Sequence, residues 1–179
     1  ESGGRVNVAL GAVLRIWHDY REAGLSDPQN AELPPAALLE EAARHTNIED
    51  VVIDREASTV YLKDPEMSLD CGAVAKGYAT EQAALYAESL GVKSLLLSVG
   101  GNIRAIGEKA EADGKGEKRW TIGIQNPDKA SEKKELLSVL IADFSVVSSG
   151  VYERYYTVNG QKYHHVIDPE TLMPSAYYD

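Results

Sequence analysis

Three stretches of the sequence combine residues that could bind an anionic ligand. The first runs from Ser68 to Leu85 and predicts a strand end at 67–70 that turns at Gly72 into a helix ending at Gly91. Small residues at such a junction let a ligand approach the backbone, and Lys76 beside a helix N-terminus would favour a phosphate. The alternative is a tight strand-to-helix turn with a solvated lysine.

The second stretch is SVGGNIR, from Ser98 to Arg104, in which two glycines interrupt an apolar run. A glycine pair in a strand pattern indicates the close approach of a ligand or of another backbone. A β-bulge is the equally simple alternative. Both interpretations stay open on the sequence alone.

The third stretch, Ser148 to Pro169, carries two hydroxyls, an arginine and two adjacent histidines. His164 and His165 point to opposite faces of a strand, so only one of them can face a given pocket. Such a histidine could bind a metal, donate to a phosphate or transfer a proton near neutral pH. The alternative is a structural histidine with its hydrogen bonds satisfied. Asp168 before proline most simply starts a turn, and no chemistry is assigned to His18 or His45.

Composition excludes several classes of function. The net charge is −10 and no cluster of lysine and arginine stands out, which argues against nucleic acid as a partner. No apolar run reaches the roughly 20 residues that span a membrane. The single cysteine, Cys71, excludes an internal disulfide. Zinc-type spacing is absent, whereas a magnesium site built of oxygen ligands is compatible with the sequence but not required by it.

The elements that must position these residues are helices early in the chain and strands late. Apolar spacing predicts one helix from a cap at Asn7 to a stop at Gly24, a second from Pro34 to about His45, and the helix from Gly72 described above. Nine strands are predicted, at 51–53, 59–62, 94–99, 102–106, 120–125, 136–142, 145–148, 152–158 and 161–166. This order favours an α+β fold.

Three details of the strand pattern are specific enough to test. The run at 94–99 is almost continuously apolar, which is typical of a strand buried on both faces. The charged stretch at 108–119 is interpreted as a solvated hairpin loop. Asn159-Gly160 is the strongest signal for a two-residue hairpin turn. The sequence shows no internal repeat, and a chain of this length is predicted to be one domain, 1–179.

The three stretches together resemble a known family. In the order LDCGAVAKGYATEQAA, LLLSVGGNIRAIG and VVSSGVYERYYTVNGQKYHHVIDPETLMP, they resemble the ApbE family, the FAD:protein FMN transferases once called thiamine-biosynthesis lipoproteins. The segment SGGRVNVALGAVLRIW looks like the N-proximal helix entry of that family. The resemblance covers nearly the whole chain and implies a T-fold-like α+β domain with mixed or antiparallel sheets and packed helices.

The resemblance also implies a reaction. Such an enzyme binds FAD and Mg²⁺, moves FMN onto a threonine or serine hydroxyl of a target redox protein through a phosphoester, and releases AMP. Some members instead hydrolyse FAD to FMN and AMP. The expected location is the bacterial cell envelope, with membrane contact only through an N-terminal lipid anchor that is absent from this chain.

Site residues follow from the resemblance position by position. The metal-binding backbone carbonyl falls at Ala73, and His165 and Lys76 are the expected catalytic residues. The residues expected to contact FAD are Lys76, Gly100, Gly101, Asn102, Ser149, Arg154 and His165.

The sequence departs from the family pattern in two ways. Cys71 stands where the family commonly has glycine. The aspartate and threonine that serve as metal ligands in the family, and its first strands, have no counterpart in the chain, so the metal site is expected to be incomplete. Three readings therefore stand beside the transferase: an FAD pyrophosphatase, a non-catalytic flavin-binding module, and a piece of a longer enzyme. Of these hypotheses, a piece of a longer enzyme best explains why the family's first strands and its metal ligands have no counterpart.

Overall fold

The computed structural model describes residues 6–175, so the start of the N-proximal motif (2–5) and the last four residues (176–179) lie outside the described residues. The chain divides into two compact units. Unit 1 comprises Glu1–Ala73 and Val151–Asp179, and unit 2 comprises Val74–Gly150. The single domain over 1–179 stays a prediction. In the described part of the chain, no helix is both long and apolar enough to cross a bilayer.

The helices of unit 1 begin close to where the sequence predicts them. A 3₁₀ turn, Val8–Leu10, is capped by Asn7, whose side-chain oxygen accepts a hydrogen bond from the amide of Ala9 at 2.9 Å. Helix α1 then runs through Gly11–Ser26, and helix α2 through Ala36–Ala43. Short 3₁₀ turns at Pro28–Asn30 and Ile48–Asp50 complete the helical segments.

The predicted stop of the first helix at Gly24 is wrong. Helix α1 continues to Ser26, and Gly24 is buried within it. The ring of Tyr156 packs on this glycine, since a Cβ placed there would lie 2.6 Å from the Tyr156 Cδ2 atom. The glycine is therefore explained by a tertiary contact and not by the end of the helix.

Unit 1 contains two antiparallel hairpins. Strands β1 (Val51–Asp54) and β2 (Thr59–Leu62) form one of them, and β8 (Tyr155–Val158) and β9 (Gln161–His164) form the other. Asn159 and Gly160 connect β8 to β9 with φ values of 50° and 82°, as a type I′ turn requires. This hairpin prediction is confirmed, although both strands are shorter than predicted because 151–153 form a turn and β9 ends at His164.

The core of unit 1 joins the two ends of the chain. Trp17 and Tyr156 meet edge to face at a ring-centroid distance of 6.5 Å, and Trp17 also stacks on Tyr163 at 6.4 Å. The Trp17 indole N–H donates to the carbonyl oxygen of Leu172 at 2.8 Å. Burial of these rings and their neighbours provides the main stabilisation of the unit. The buried cluster consists of Leu10, Val13, Trp17, Leu39, Tyr156, Val158 and Ile167.

Helix α3 (Gly72–Ser89) begins in unit 1 and continues in unit 2, where two sheets follow it. The first has the order β3 (Leu95–Val99), β4 (Asn102–Ile106), β7 (Ser145–Val147). The second pairs β5 (Trp120–Gln125) with β6 (Glu135–Ile141). A small apolar core forms around Ala105, Ile122 and Ile141. Every strand pairing in the described residues is antiparallel, and the α+β prediction is confirmed.

Three predictions about the region between 67 and 119 are wrong. The strand at 94–99 is not buried on both faces, because β3 lies at an edge of its sheet and β4 occupies the buried centre. The segment 108–119 is mostly exposed, as predicted, but it is not the loop of a β4–β5 hairpin, because β4 and β5 belong to different sheets. Residues 67–70 form no strand; the amide of Asp70 instead donates to the carbonyl oxygen of Val8 at 2.8 Å.

Candidate functional site

In unit 2, Lys76 lies near the start of helix α3 and is bound to the turn between β3 and β4. Its ammonium donates a hydrogen bond to the carbonyl oxygen of Gly100 at 2.8 Å. The side chain is exposed, and this contact gives it one defined partner; its role at a ligand site stays a prediction. An ammonium has three donors, and two of them stay free of this contact for an anion.

The turn itself requires its two glycines. Gly100 and Gly101 have φ values of 49° and 89°, and the flanking residues Val99 and Asn102 pair directly. This is a two-residue hairpin, so the β-bulge alternative is wrong. The close approach of another backbone is confirmed, because a Cβ on Gly101 would lie 2.9 Å from the carbonyl oxygen of Ser148, and the Ser148 amide donates to Gly101 at 3.0 Å.

Asn102 is 7% exposed and lies where helix α3 meets β4. A Cβ on Gly77 would lie 3.4 Å from the side-chain oxygen of Asn102, an ordinary contact distance, so the amide lies directly beside the helix. One turn further on, the hydroxyl of buried Thr80 donates to the carbonyl oxygen of Lys76 at 2.7 Å. Ser149 is exposed in the loop that directly follows Ser148.

Arg104, at the end of the second stretch, has a structural role that the sequence pattern did not assign. Its Nε donates to Glu81 at 3.0 Å, and a terminal nitrogen lies 3.6 Å from Glu88. The arginine side chain is 12% exposed, so both acids of helix α3 are tied to β4 by a largely buried cation. Local sequence does not reveal these ion pairs, because the two acids lie 16 or more residues before the arginine and approach it only in the folded chain.

In unit 1, the histidine that the resemblance selects, His165, has a defined tautomer. The Nδ1 atom of His165 lies 3.2 Å from the carbonyl oxygen of Arg154, which can only accept, so Nδ1 carries the proton and Nε2 the lone pair. Burial lowers the pKa of His165, and the positive charge of Arg154 adds to the effect. The ring is therefore neutral, and basic at Nε2, around pH 7.

His164 has a different environment, as the alternation of side chains along a strand predicts. Its Nδ1 accepts a hydrogen bond from the amide of Val166 at 3.2 Å, so its Nε2 proton goes to the carbonyl oxygen of Ser175 at 3.0 Å. Both nitrogens of this ring are occupied. For His164, the structural alternative is the correct one.

Ala73 is the second residue of helix α3, and the acid before the helix is already engaged. The Asp70 carboxylate accepts a hydrogen bond from the Gly72 amide at 2.7 Å. The Gly72 amide is therefore not available to an anion. Within residues 6–175 there is no group of three or more His, Cys, Asp or Glu side chains that could hold a metal ion. These residues alone do not fit a Mg²⁺ site.

A groove of about 400 Å³ lies elsewhere in unit 2, at the end of the β5–β6 hairpin. It holds none of the predicted site residues. This groove therefore gives no support to the predicted site, which rests on the motifs alone. Lining residues are Gly123, Gln125, Asn126, Asp128, Lys129, Lys134 and Glu135.

Within each unit, the structure brings predicted residues together. Lys76, Gly100, Gly101 and Asn102 are neighbours in unit 2, and the Arg154 backbone contacts His165 in unit 1. The sequence analysis assigned no chemistry to His45. In the structure its Nδ1 atom lies 2.7 Å from a carboxylate oxygen of Asp64.

The chain is similar to known proteins along nearly its whole length. The model of the ApbE family matches residues 1–178. The chain is 34% identical over 179 residues to an FAD:protein FMN transferase of Treponema pallidum, with 98% of the chain and 48% of that protein covered. It is 33% identical over 168 residues to an FAD:protein FMN transferase of Klebsiella pneumoniae, covering 94% and 47%.

Two solved structures of ApbE proteins have a similar fold. The ApbE protein from Thermotoga maritima superposes with a TM-score of 0.77 at 30% identity, covering 97% of this chain and 52% of that one. A variant of the flavin transferase ApbE from Vibrio cholerae gives 0.71 at 26% identity, covering 97% and 51%. The chain thus spans about half the length of the relatives it matches.

Proposed function

The chain belongs to the ApbE family, and on this premise we propose that its protein is an FAD:protein FMN transferase. It attaches FMN through a phosphoester to a threonine or serine of a target redox protein and releases AMP. Relatives that carry the name FAD:protein FMN transferase support the reaction class. The acceptor hydroxyl is part of the proposal and follows from the resemblance.

One observation supports this function above the others: the hydrogen bond of 2.8 Å between the Lys76 ammonium and the Gly100 carbonyl. It joins the lysine of the first stretch to the glycine turn of the second, although 24 residues separate them. Cleavage of a pyrophosphate depends mainly on stabilising negative charge. A lysine that is fixed in place, with two donors to spare, suits that task.

The transfer needs a base for the acceptor hydroxyl, and we assign that role to His165. The hydroxyl oxygen forms a bond to the phosphorus of the FMN half while the bond from that phosphorus to the bridging oxygen breaks. The proton goes to Nε2 of His165, and AMP leaves with the bridging oxygen. The Arg154 carbonyl holds Nδ1–H, which fixes the tautomer that this step requires.

Mg²⁺ belongs to the proposal because the family resemblance implies it. Among the described residues only the Ala73 carbonyl corresponds to a ligand that the resemblance implies. Ser149, Arg154 and Asn102 are proposed to line the flavin site. The bacterial cell envelope and a lipid-anchored protein are the proposed setting, again from the resemblance.

The assay that tests the proposal incubates the protein, in its full natural length, with FAD and Mg²⁺. Parallel samples contain or lack an acceptor protein with a suitable threonine. AMP is quantified, and covalent flavin is read as fluorescence of the acceptor band in a denaturing gel. Transfer predicts both signals, and both depend on the acceptor.

The other outcomes separate the alternatives. AMP without a fluorescent acceptor would identify an FAD pyrophosphatase. FAD binding without AMP would identify a flavin-binding module. Calorimetry adds a check on the ligand: because the sequence has no GxGxxG after a strand, we expect FAD to bind more tightly than NAD, and the reverse order would contradict the proposal.

A further inference from the structure

A histidine outside the candidate site, His45, lies between two carboxylates of unit 1. Its Nδ1 is 2.7 Å from an Asp64 oxygen, and its Nε2 is 3.5 Å from a Glu66 oxygen. The side chains of His45 and Asp64 are 21% and 22% exposed, whereas that of Glu66 is 73% exposed. Only an imidazolium can present an N–H to both acids, because the neutral ring has one proton.

The surroundings of His45 reinforce its positive charge. It follows helix α2 directly after Arg44, and its amide donates to the carbonyl oxygen of Ala42, so it lies at the negative end of the helix dipole. Glu41 of the same helix adds a third negative charge, although its carboxylate pairs with Arg44 at 3.0 Å. The hydrogen bond that the His45 ring donates to the Asp64 carboxylate is the largest factor that raises the pKa of His45.

The acids that hold His45 belong to the segment that leads to helix α3. Asp64 organises this segment, since its carboxylate also accepts from the Glu66 amide at 2.9 Å and its carbonyl from the Met67 amide at 3.2 Å. Met67 is buried at 5% exposure, and Asp70 follows with its bond to Val8. His45 is therefore linked to the approach to the helix that carries Lys76.

We propose that His45, Asp64 and Glu66 form a proton-dependent latch that fastens residues 64–70 to the end of helix α2. When His45 is protonated, its two N–H groups bind the carboxylates of Asp64 and Glu66. When the ring loses its Nε2 proton, the lone pair faces Glu66, whose exposed side chain turns to water, and the bond to Asp64 weakens because the donor is no longer charged. The latch thus holds at mildly acidic pH and loosens as the pH rises above 6.5. This inference does not depend on the proposed function.

The test is NMR on the protein with two variants, His45→Gln and the matched control His18→Gln, since His18 is an exposed histidine of α1 with no carboxylate partner among the described residues. Titration of the His45 ring should give a pKa above 6.5. Amide exchange, corrected for the intrinsic effect of pH, should show protection at Asp70 falling about twofold to fivefold between pH 6 and 8.5, in line with a partly exposed ion pair.

In His45→Gln this pH dependence should disappear, and in His18→Gln it should persist. Asp64→Asn, which keeps the shape of the side chain, should remove it as well, and provides the test if the glutamine variant does not fold. A His45 ring that titrates below 6.5 would overturn the latch. So would equal pH dependence of Asp70 protection in the parent and His45→Gln.

Discussion

The Lys76 ammonium and the Gly100 carbonyl oxygen lie 2.8 Å apart and join helix α3 to the turn between β3 and β4. A lysine that spends one of three donors on a backbone carbonyl has a restricted set of positions. Its remaining donors are thereby placed in advance of any ligand, which lowers the entropy cost of binding. The contact turns two separate sequence motifs into one local arrangement.

Replacing Lys76 with alanine should weaken FAD binding about tenfold or more, because a charged hydrogen bond to a phosphate contributes roughly 1.5 to 3 kcal/mol. Thermal stability should change little, since the side chain is exposed. Flavin fluorescence titration gives the Kd. The matched control is Lys115→Ala, an exposed lysine of the same unit. Equal affinity of Lys76→Ala and the parent would remove Lys76 from the site.

His165 predicts an acidic limb in the pH profile of FMN transfer. Because the pKa of His165 is lowered by burial, the rate should be on its plateau at pH 7 and fall only as the pH drops below 6.5. His165→Gln should lose most of the transfer, by about 100-fold or more, as expected for loss of a general base. His164→Gln, whose ring is occupied by backbone contacts, should retain the profile. A rate that falls on the alkaline side of pH 7 in the parent would contradict the assignment.

The same shift predicts how His165 affects stability. Its pKa in the folded protein is lower than in the unfolded chain, so the unfolded chain binds more protons. The free energy of unfolding should therefore fall as the pH drops below 6.5, and His165→Gln should reduce that fall. Urea unfolding at pH 5 and pH 7 measures the difference. An unchanged pH dependence in the variant would count against the lowered pKa.

Gly101→Ala should destabilise the protein more than Gly160→Ala. Both glycines have a φ above 80°, so both variants carry the cost of a left-handed alanine, about 1 to 2 kcal/mol. Only at Gly101 would the new Cβ meet a backbone atom, the Ser148 carbonyl oxygen at 2.9 Å; at Gly160 nothing lies within 4 Å. Urea unfolding compares the two. Equal losses would mean that the Ser148 contact yields freely.

Mg²⁺ should bind weakly to the 179-residue chain on its own. A hard divalent cation takes several oxygen ligands, usually including carboxylates, and residues 6–175 offer no suitable group of three. FAD phosphates supply oxygens, so we expect calorimetry to show tighter Mg²⁺ binding when FAD is present, and no FMN transfer by the chain alone. Tight binding without FAD, or transfer by this chain, would show that the ligand assignment carried over from the family is wrong.

The sequence was sufficient to predict structure where the local residues determine the backbone conformation. Asn159-Gly160 forms the predicted turn, since few residues adopt two consecutive positive φ values. Helix α3 ends at Ser89, two residues before the predicted stop at Gly91, and the φ of 86° at Gly91 is one that glycine adopts readily. Motif order was enough to predict the family, whereas the roles of Lys76 and His165 stay predictions.

The sequence was insufficient to predict structure where contacts between residues far apart in the chain determine it. Gly24 resembled a helix stop, but the ring that covers it belongs to Tyr156. His45 had no local signal of function, because its partner Asp64 is 19 residues away. The apolar run at 94–99 suggested burial on both faces, whereas its place at an edge of the sheet depends on which strands pair. Pairing and packing are properties of the folded chain, and local periodicity does not encode them.

Unit 1 is assembled from both ends of the chain, and this has a consequence for synthesis on the ribosome. Helix α1 packs against Tyr156, so the core around Trp17 cannot close until all of unit 2 has been translated. At about 5 to 20 residues per second, the first segment waits on the order of 4 to 15 s with its apolar side chains uncovered. During that interval Val13, Trp17 and Leu39 lack the partners that the C-terminal segment supplies, so a nascent chain arrested before residue 151 should expose them to protease.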